Sequence, residues 1–285
     1  MTTLLESLAM SSRTPLNVCT VMFDLDGVIW RGQRPFPEAG PAVQWLGEQG
    51  ISSYFLTNNS TRTRADYVGL LARAGITCTE DRIMTSAYAT ALYMAERGWK
   101  DKQALVIGEN GLEEELKRAG MRVTRPPEWR DAQAVVVGLT RSFDYEALFC
   151  AQQAILSGAT FIASNRDGTY PTEEGLLPGA GSIVAAVAAA THTEPTVVGK
   201  PQPYMVEKVL TSANCSAEHA ALVGDRLDTD IELARRLGIF AILVLTGVTT
   251  MEAARAAEGS CRPDAIIENL GELPALLKGG HGGCD

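Results

Sequence analysis

Histidine is scarce in this chain, and His192, His219 and His281 all lie outside its polar motifs. That argues against a zinc hydrolase. Paired cysteines are missing as well. Cys19, Cys78, Cys150, Cys215, Cys261 and Cys284 are scattered with no CxxC spacing, which fits reduced thiols in the cytoplasm better than a disulfide framework. Long apolar runs are absent. The longest, residues 183–190, is mostly alanine and too short to span a bilayer. The opening MTTLLESLAM has no basic region and carries Glu6 inside its apolar stretch, so no secretory signal is expected. Positive charge is in deficit, with a formal net charge of −9, so no overall footprint for nucleic acid or an anionic membrane exists. There is no GxSxG, which removes the usual serine-hydrolase elbow. A Walker A loop is also excluded, because Glu194 stands where its first glycine would precede Gly199.

What is present is 285 residues with 46% hydrophobic content, enough for one large domain or two smaller ones. Short apolar runs predict strands over 21–24, 51–56, 105–107, 135–138, 160–163, 196–198, 221–223 and 241–245. Helical patterns lie between nearly all of them, among them 42–49 and 64–74. Strands buried on both faces and separated by helices predict an α/β fold with parallel sheets. The polar motifs fall into two groups, 24–60 and 199–230, and the stretch between has its own strand–helix alternation. This predicts a Rossmann-like core split in sequence (17–99 and 193–278) with an inserted α/β module (100–192), flanked by tails 1–16 and 279–285.

Four motifs carry the polar chemistry. In Phe23-Asp24-Leu25-Asp26-Gly27-Val28, two carboxylates follow a hydrophobic strand, where open α/β sheets hold their ligands. Alone, this is also what a structural Asp-Gly turn looks like. Leu56-Thr57-Asn58-Asn59-Ser60 sets a hydroxyl, two amides and backbone N–H groups at a strand end, able to grip phosphate oxygens without added charge. Its plain alternative is a helix cap at Ser60 or Thr61. Val198-Gly199-Lys200-Pro201 places a lysine before a proline that is expected to open a helix; the alternative is a solvated surface lysine. Val223-Gly224-Asp225-Arg226-Leu227-Asp228-Thr229-Asp230 gathers carboxylates that a hard cation such as magnesium would attract, or else supplies a cap at Asp228. Each motif follows an apolar strand, so all four are expected at one edge of one sheet. Gly179-Ala180-Gly181-Ser182 is half a dinucleotide fingerprint without its third glycine, and reads as the entry to a helix.

The set DLDGV, TNNS, VGKP and GDRLDTDI resembles the four motifs of the haloacid dehalogenase superfamily. DLDGVIWRG and GDRLDTDI are similar to its nitrophenylphosphatase, NagD-like and phosphoglycolate phosphatase branch, over about residues 17–270. The resemblance implies a magnesium-dependent phosphohydrolase acting on small phosphate monoesters such as phosphoglycolate, glycerol phosphate or nitrophenyl phosphate. Asp24 would be the nucleophile forming an aspartyl-phosphate, and Asp26 the general acid and base. Asp24, the Asp26 carbonyl and Asp225 would hold Mg2+, with Asp230 behind them. Thr57, Asn58, Asn59 and Lys200 would bind the phosphoryl group. The resemblance further implies a squiggle and flap over 27–37, and a cap at 100–192 that selects the substrate and can pair two copies into a homodimer. In the cap loop, Asn165-Arg166-Asp167-Gly168-Thr169-Tyr170-Pro171 offers Tyr170 and Arg166 as substrate contacts. Some relatives carry histidine at the Tyr170 position, which counts against pyridoxal phosphate. A phosphotransferase on the same core, or a nucleotide, sugar or pyridoxal phosphate phosphatase, is the alternative. The implied partner is a small phosphorylated metabolite.

Overall fold

A computed structural model describes residues 17–172 and 175–278; the expected tails 1–16 and 279–285, with Cys284 and His281, lie outside them. In chain order the elements begin with β1 (Thr20–Asp24), a short hairpin of β2 (Trp30–Arg31) and β3 (Arg34–Pro35), α1 (Ala39–Glu48), β4 (Ser52–Thr57) and α2 (Arg64–Arg73). Then come β5 (Ile83–Thr85), α3 (Ser86–Ala95), β6 (Gln103–Ile107), α4 (Asn110–Arg118), β7 (Arg122–Thr124), β8 (Ala134–Val137), α5 (Tyr145–Leu156) and β9 (Thr160–Ala163). A second hairpin, β10 (Thr169–Thr172) and β11 (Gly175–Pro178), precedes α6 (Ala180–Thr191), β12 (Thr196–Val197) and α7 (Tyr204–Ala213). The chain closes with β13 (Ala220–Gly224), a π-helical turn (Leu227–Ile231), α8 (Glu232–Leu237), β14 (Phe240–Val244), α9 (Met251–Ala256), β15 (Ala265–Ile267) and α10 (Leu273–Lys278).

Two sheets result. One has the order β15-β14-β13-β1-β4-β5 and the other β12-β9-β8-β6-β7. In the first, β1 pairs in parallel with both β4 and β13, and β13, β14 and β15 continue in parallel. The four pairings of the second sheet are parallel too. The cause lies in side-chain composition: β1, β13, β14 and β8 are buried along their whole length, as strands covered by helices on both faces must be.

The described residues divide into two compact units, 17–56 with 68–83 and 206–278, and 57–67 with 84–205. In the first, Val21, Met22, Phe23, Phe55, Leu222, Val223 and Ile242 form the sheet's buried surface, and the Phe23 and Phe55 rings stack at 5.9 Å. In the second, Leu105, Val135, Val137 and Phe161 pack with Ala151 of α5 and Val184 and Val187 of α6.

Each strand read from the sequence is present, with bounds moved by a residue or two. The expectation that all four motifs share one sheet edge is not met. Asp24, Thr57 and Asp225 stand at or just beyond ends of strands of the first sheet, but Lys200 follows β12, the edge strand of the second. Pro201 does not open a helix either: α7 starts at Tyr204, and the Lys200–Pro201 peptide is cis. Gly179 does cap α6 as expected. The cap of α2 is Thr63 rather than Ser60 or Thr61. Its amide and hydroxyl both donate to Asp66 Oδ2, at 2.9 and 2.7 Å, and its Oγ1 accepts from the Asp66 amide at 3.2 Å.

Candidate active site

The first sheet reverses its winding direction between β1 and β13. From β1 the chain goes to β4 and β5 on one side and to β13, β14 and β15 on the other. The crevice beyond the carboxyl ends of two such strands is where doubly wound sheets bind ligands. Asp24 ends β1, and Asp225 directly follows β13.

Past β1 the chain turns at once. The Leu25 carbonyl accepts from the amides of Val28, Ile29 and Trp30, and Gly27 sits at φ +85°, a conformation costly for any residue with a Cβ. The turn carries Trp30 back beneath Asp26. The Trp30 indole Nε1 donates to Asp26 Oδ1 at 3.0 Å. Asp24 is buried and Asp26 half-buried. Hairpin β2–β3 lies where the squiggle and flap are expected.

Beyond β13 the π-helical turn, rather than an ordinary helix start, folds Asp230 back onto the strand end. Asp230 Oδ2 accepts from the Arg226 amide at 3.2 Å. A Cβ at Gly224 would stand 2.2 Å from the Asp230 Cβ, so glycine is required for this approach. Asp228 does not cap: it is exposed and paired with Arg226 at 3.2 Å.

Asp24, Asp225 and Asp230 are each buried, and one carboxylate oxygen from each lies within 4.8 Å of the others. Three anions this close and this buried repel strongly unless a cation relieves them. The donor set is all oxygen, as magnesium requires. The residues therefore fit a hard divalent cation, and the Asp230 carboxylate lies within the same group.

In the second unit, Asn58 is the hub. Its Oδ1 accepts from the Lys200 amide at 2.9 Å, and its Nδ2 donates to the Lys200 carbonyl at 3.0 Å and to Asp167 Oδ1 at 3.1 Å. Its carbonyl accepts from Ser86 Oγ and from Asn165 Nδ2, both at 2.6 Å. This side chain fixes the Lys200 backbone and the loop after β9. Gly199 is needed for the fit, since a Cβ there would meet Ser164 O at 2.5 Å and Asn58 Oδ1 at 2.7 Å. Lys200 is 3% exposed, which removes the solvated-lysine alternative. Thr57 Oγ1 accepts from the Asn59 amide, and Asn59 Oδ1 accepts from the Thr61 amide and hydroxyl. Both residues thereby shape a tight polar loop.

The two cap-loop candidates part ways. Arg166 is exposed and paired with Glu194 at 2.6 Å. Tyr170 accepts from Arg141 instead, a residue the sequence reading missed. That hydroxyl holds the Arg141 guanidinium above its ordinary pKa. Arg141 also lines a cavity of about 240 Å³ with Thr140, Phe143, Pro178 and Ser182. Arg141 stands four residues beyond the end of the buried strand β8, whereas Asp24 ends its strand and Asp225 directly follows one. Trp30 likewise stands four residues beyond Asp26, and 246–249 follows β14.

A family model described as haloacid dehalogenase-like hydrolase matches residues 21–122, and a HAD-hydrolase-like model matches 197–273. The dihydroxyacetone phosphatase of Corynebacterium glutamicum is 36% identical over 251 residues, covering 88% of each chain. The chain belongs to the haloacid dehalogenase-like hydrolase family. Among solved members, the 4-nitrophenylphosphatase of Thermotoga maritima superposes with a TM-score of 0.85 at 32% identity, over 92% of this chain and 98% of its own. The glycerol phosphate phosphatase of Mycobacterium tuberculosis in complex with magnesium gives 0.80 at 36% identity, over 89% and 75%. The resemblance of the four motifs and the α/β expectation hold for this family member, and among its described residues no helix is long and apolar enough to cross a membrane.

Proposed function

We propose that this protein hydrolyses small-molecule phosphate monoesters by way of a phosphorylated Asp24. The observation that carries the reading is the buried triad of Asp24, Asp225 and Asp230 at the strand ends of the winding reversal. The protein is a phosphoric monoester hydrolase and uses magnesium. When bound, the cation offsets the negative charge of the phosphoryl group and of the carboxylates around it.

In the first step a carboxylate oxygen of Asp24 attacks phosphorus while the bond to the leaving oxygen breaks. Asp26 gives its proton to that leaving oxygen. In the second step the Asp26 carboxylate takes a proton from water, the water oxygen attacks phosphorus, and Asp24 is released with inorganic phosphate. The Trp30 indole fixes one oxygen of Asp26 by donating to it at 3.0 Å. Asp24, Asp225 and Asp230 would hold the cation, with the Asp26 carbonyl as a further ligand. Thr57 offers its hydroxyl to the phosphoryl oxygens and Asn59 closes the loop beside it. Lys200 supplies positive charge, held in place by Asn58, whose own side-chain groups are taken by Lys200 and Asp167.

The inserted stretch 100–192 serves as the cap. Tyr170, with Arg141, reads the organic part of the substrate; Arg166 has a smaller share because Glu194 holds it. Substrates of the size handled by the relatives, such as phosphoglycolate, glycerol phosphate or dihydroxyacetone phosphate, suit this site. The exposed Tyr145, Phe149 and Leu156 on α5 suit pairing of two caps in a homodimer. The free thiols Cys19, Cys78, Cys150, Cys215 and Cys261 suit the cytoplasm.

The test is phosphate release from a panel of small phosphate esters with magnesium, the alcohol product being identified in parallel. Turnover of several small monoesters supports the reading. Transfer of phosphate to an added sugar with little free phosphate would favour the phosphotransferase.

A further inference from the structure

The loop after β14 touches both the metal carboxylate and the flap. At one end, the Val248 amide donates to Asp225 Oδ2 at 2.7 Å, and Thr249 Oγ1 donates to the Asp225 carbonyl at 2.6 Å. At the other, Thr246 Oγ1 donates to the Gly27 carbonyl at 2.6 Å, and the Thr246 carbonyl accepts from Arg31 Nη2 at 2.5 Å. Gly247 lies between. A Cβ on it would stand 1.9 Å from Asp225 Oδ2, and a Cβ on Gly27 would stand 2.4 Å from the same oxygen. Asp225 is thus gripped on its carboxylate and on its backbone by a segment that also holds the turn after Asp24 and the first strand of the hairpin.

We propose that loop 246–249 is a latch whose position couples the flap to the metal site, with Thr246 and Arg31 as positioning residues. Both fix the loop whose next residues orient Asp225. A shift of the hairpin that draws Arg31 or Gly27 away moves Thr246, and with it the Val248 amide that aims Asp225 Oδ2. Cation affinity and flap position are then linked, and the linkage is reciprocal: a filled metal site favours the flap position that leaves the latch closed.

The proposal rests on the reading of the Asp24, Asp225 and Asp230 triad as a magnesium site. Its test reads metal binding directly, by calorimetric titration of the full-length protein with magnesium chloride and no substrate. Thr246→Val removes one hydroxyl and keeps the branched shape; its Kd for magnesium should rise about three- to tenfold, as loss of one hydrogen bond allows. Arg31→Gln, on an exposed residue far less able to upset folding, should raise Kd in the same direction. The double variant should lose less than the product of the two single losses, since both act on one element. Thr246→Ser should restore binding to within about twofold of wild type. Urea midpoints of the metal-free variants should fall by no more than loss of one hydrogen bond allows, whereas a merely structural role would lower the midpoint and leave Kd for magnesium unchanged. If Thr246→Val and Arg31→Gln both bind magnesium as wild type does, the latch is refuted while the metal site stands. Should Thr246→Val fail to fold, Arg31→Gln alone decides. If wild type itself takes up no magnesium, both the metal site and the latch fall.

Discussion

Arg141 donates from both Nε and Nη2 to the Tyr170 hydroxyl, at 3.3 and 3.2 Å. The pair joins the loop after β8 to the hairpin after β9 and presents a fixed cation beside a phenol. Arg141→Ala and Tyr170→Phe should therefore change the ranking of substrates. Loss of one such contact to a leaving group lowers kcat/KM by roughly ten- to hundredfold for the substrates that use it. Arg166→Ala should change the ranking less than either, because that guanidinium is held by Glu194. Measuring kcat/KM of the three variants over the ester panel checks this. A uniform fall on every substrate would assign the pair to cap packing alone.

Asp24→Asn should keep the fold and lower turnover by several orders of magnitude, since a carboxamide is a poor nucleophile toward phosphorus. Rapid quench of wild type with labelled substrate should place the label on Asp24. Label on a serine or a histidine would overturn the mechanism.

Excess chelator should abolish turnover, and added magnesium should restore it. Calcium should restore far less, because its larger, looser coordination shell holds the reacting oxygens apart. Asp225→Asn and Asp230→Asn should each raise the magnesium concentration for half-maximal activity at least tenfold, given that both carboxylates share the buried cluster. An Asp230→Asn enzyme with unchanged magnesium dependence would return that residue to an indirect role.

Arg64 and Glu115 make a buried ion pair within the second unit. Glu115 is 1% exposed and accepts from Arg64 Nε at 3.1 Å, while the guanidinium lies 3.5 Å from the centre of the Tyr88 ring. Arg64→Leu leaves the buried carboxylate with the amide of residue 64 at 3.4 Å and Arg118 at 4.0 Å, and should cost about 3 kcal/mol. Adding Glu115→Leu should recover most of the loss. Urea unfolding of the single and double variants measures both numbers.

The parts legible in the sequence share one physical cause. Strands such as β1, β8 and β13 are buried on both faces, so their apolar runs stand out, and the polar residue that ends each run marks a site. Asp24 and Asp225 were found this way. What was not legible was pairing. Lys200 follows a strand like the others, but nothing in Val198-Gly199-Lys200-Pro201 says which sheet β12 joins. Nor could spacing show that Arg166 would meet Glu194, or Tyr170 meet Arg141, because those partners lie 28 and 29 residues away along the chain. Strands β5, β7 and β15 were missed although the two-residue β12 was read, so length alone does not decide which short strands show. The π-helical turn was missed because residues 227–231 fit an ordinary helix start equally well.

The second sheet reverses its winding between β6 and β8, and there it is the chain itself that fills the crevice. Ser60 Oγ accepts from the Leu139 amide at 3.3 Å, the Thr61 carbonyl accepts from the Gly111 amide at 3.1 Å, and Cβ atoms on Gly111 and Gly138 would stand 2.4 and 2.6 Å from Arg62 and Ser60. A place that elsewhere receives a nucleotide is here a socket for residues 60–62. This bears on any attempt to transplant caps between relatives. A graft cut at 100 and 192 would put a foreign socket around a native plug, and the mismatch would fall on the segment that carries Thr57 and Asn58. Chimeras that take 57–67 from the same donor as the socket keep plug and socket matched, and are the ones in which a change of substrate can be separated from damage to the loop.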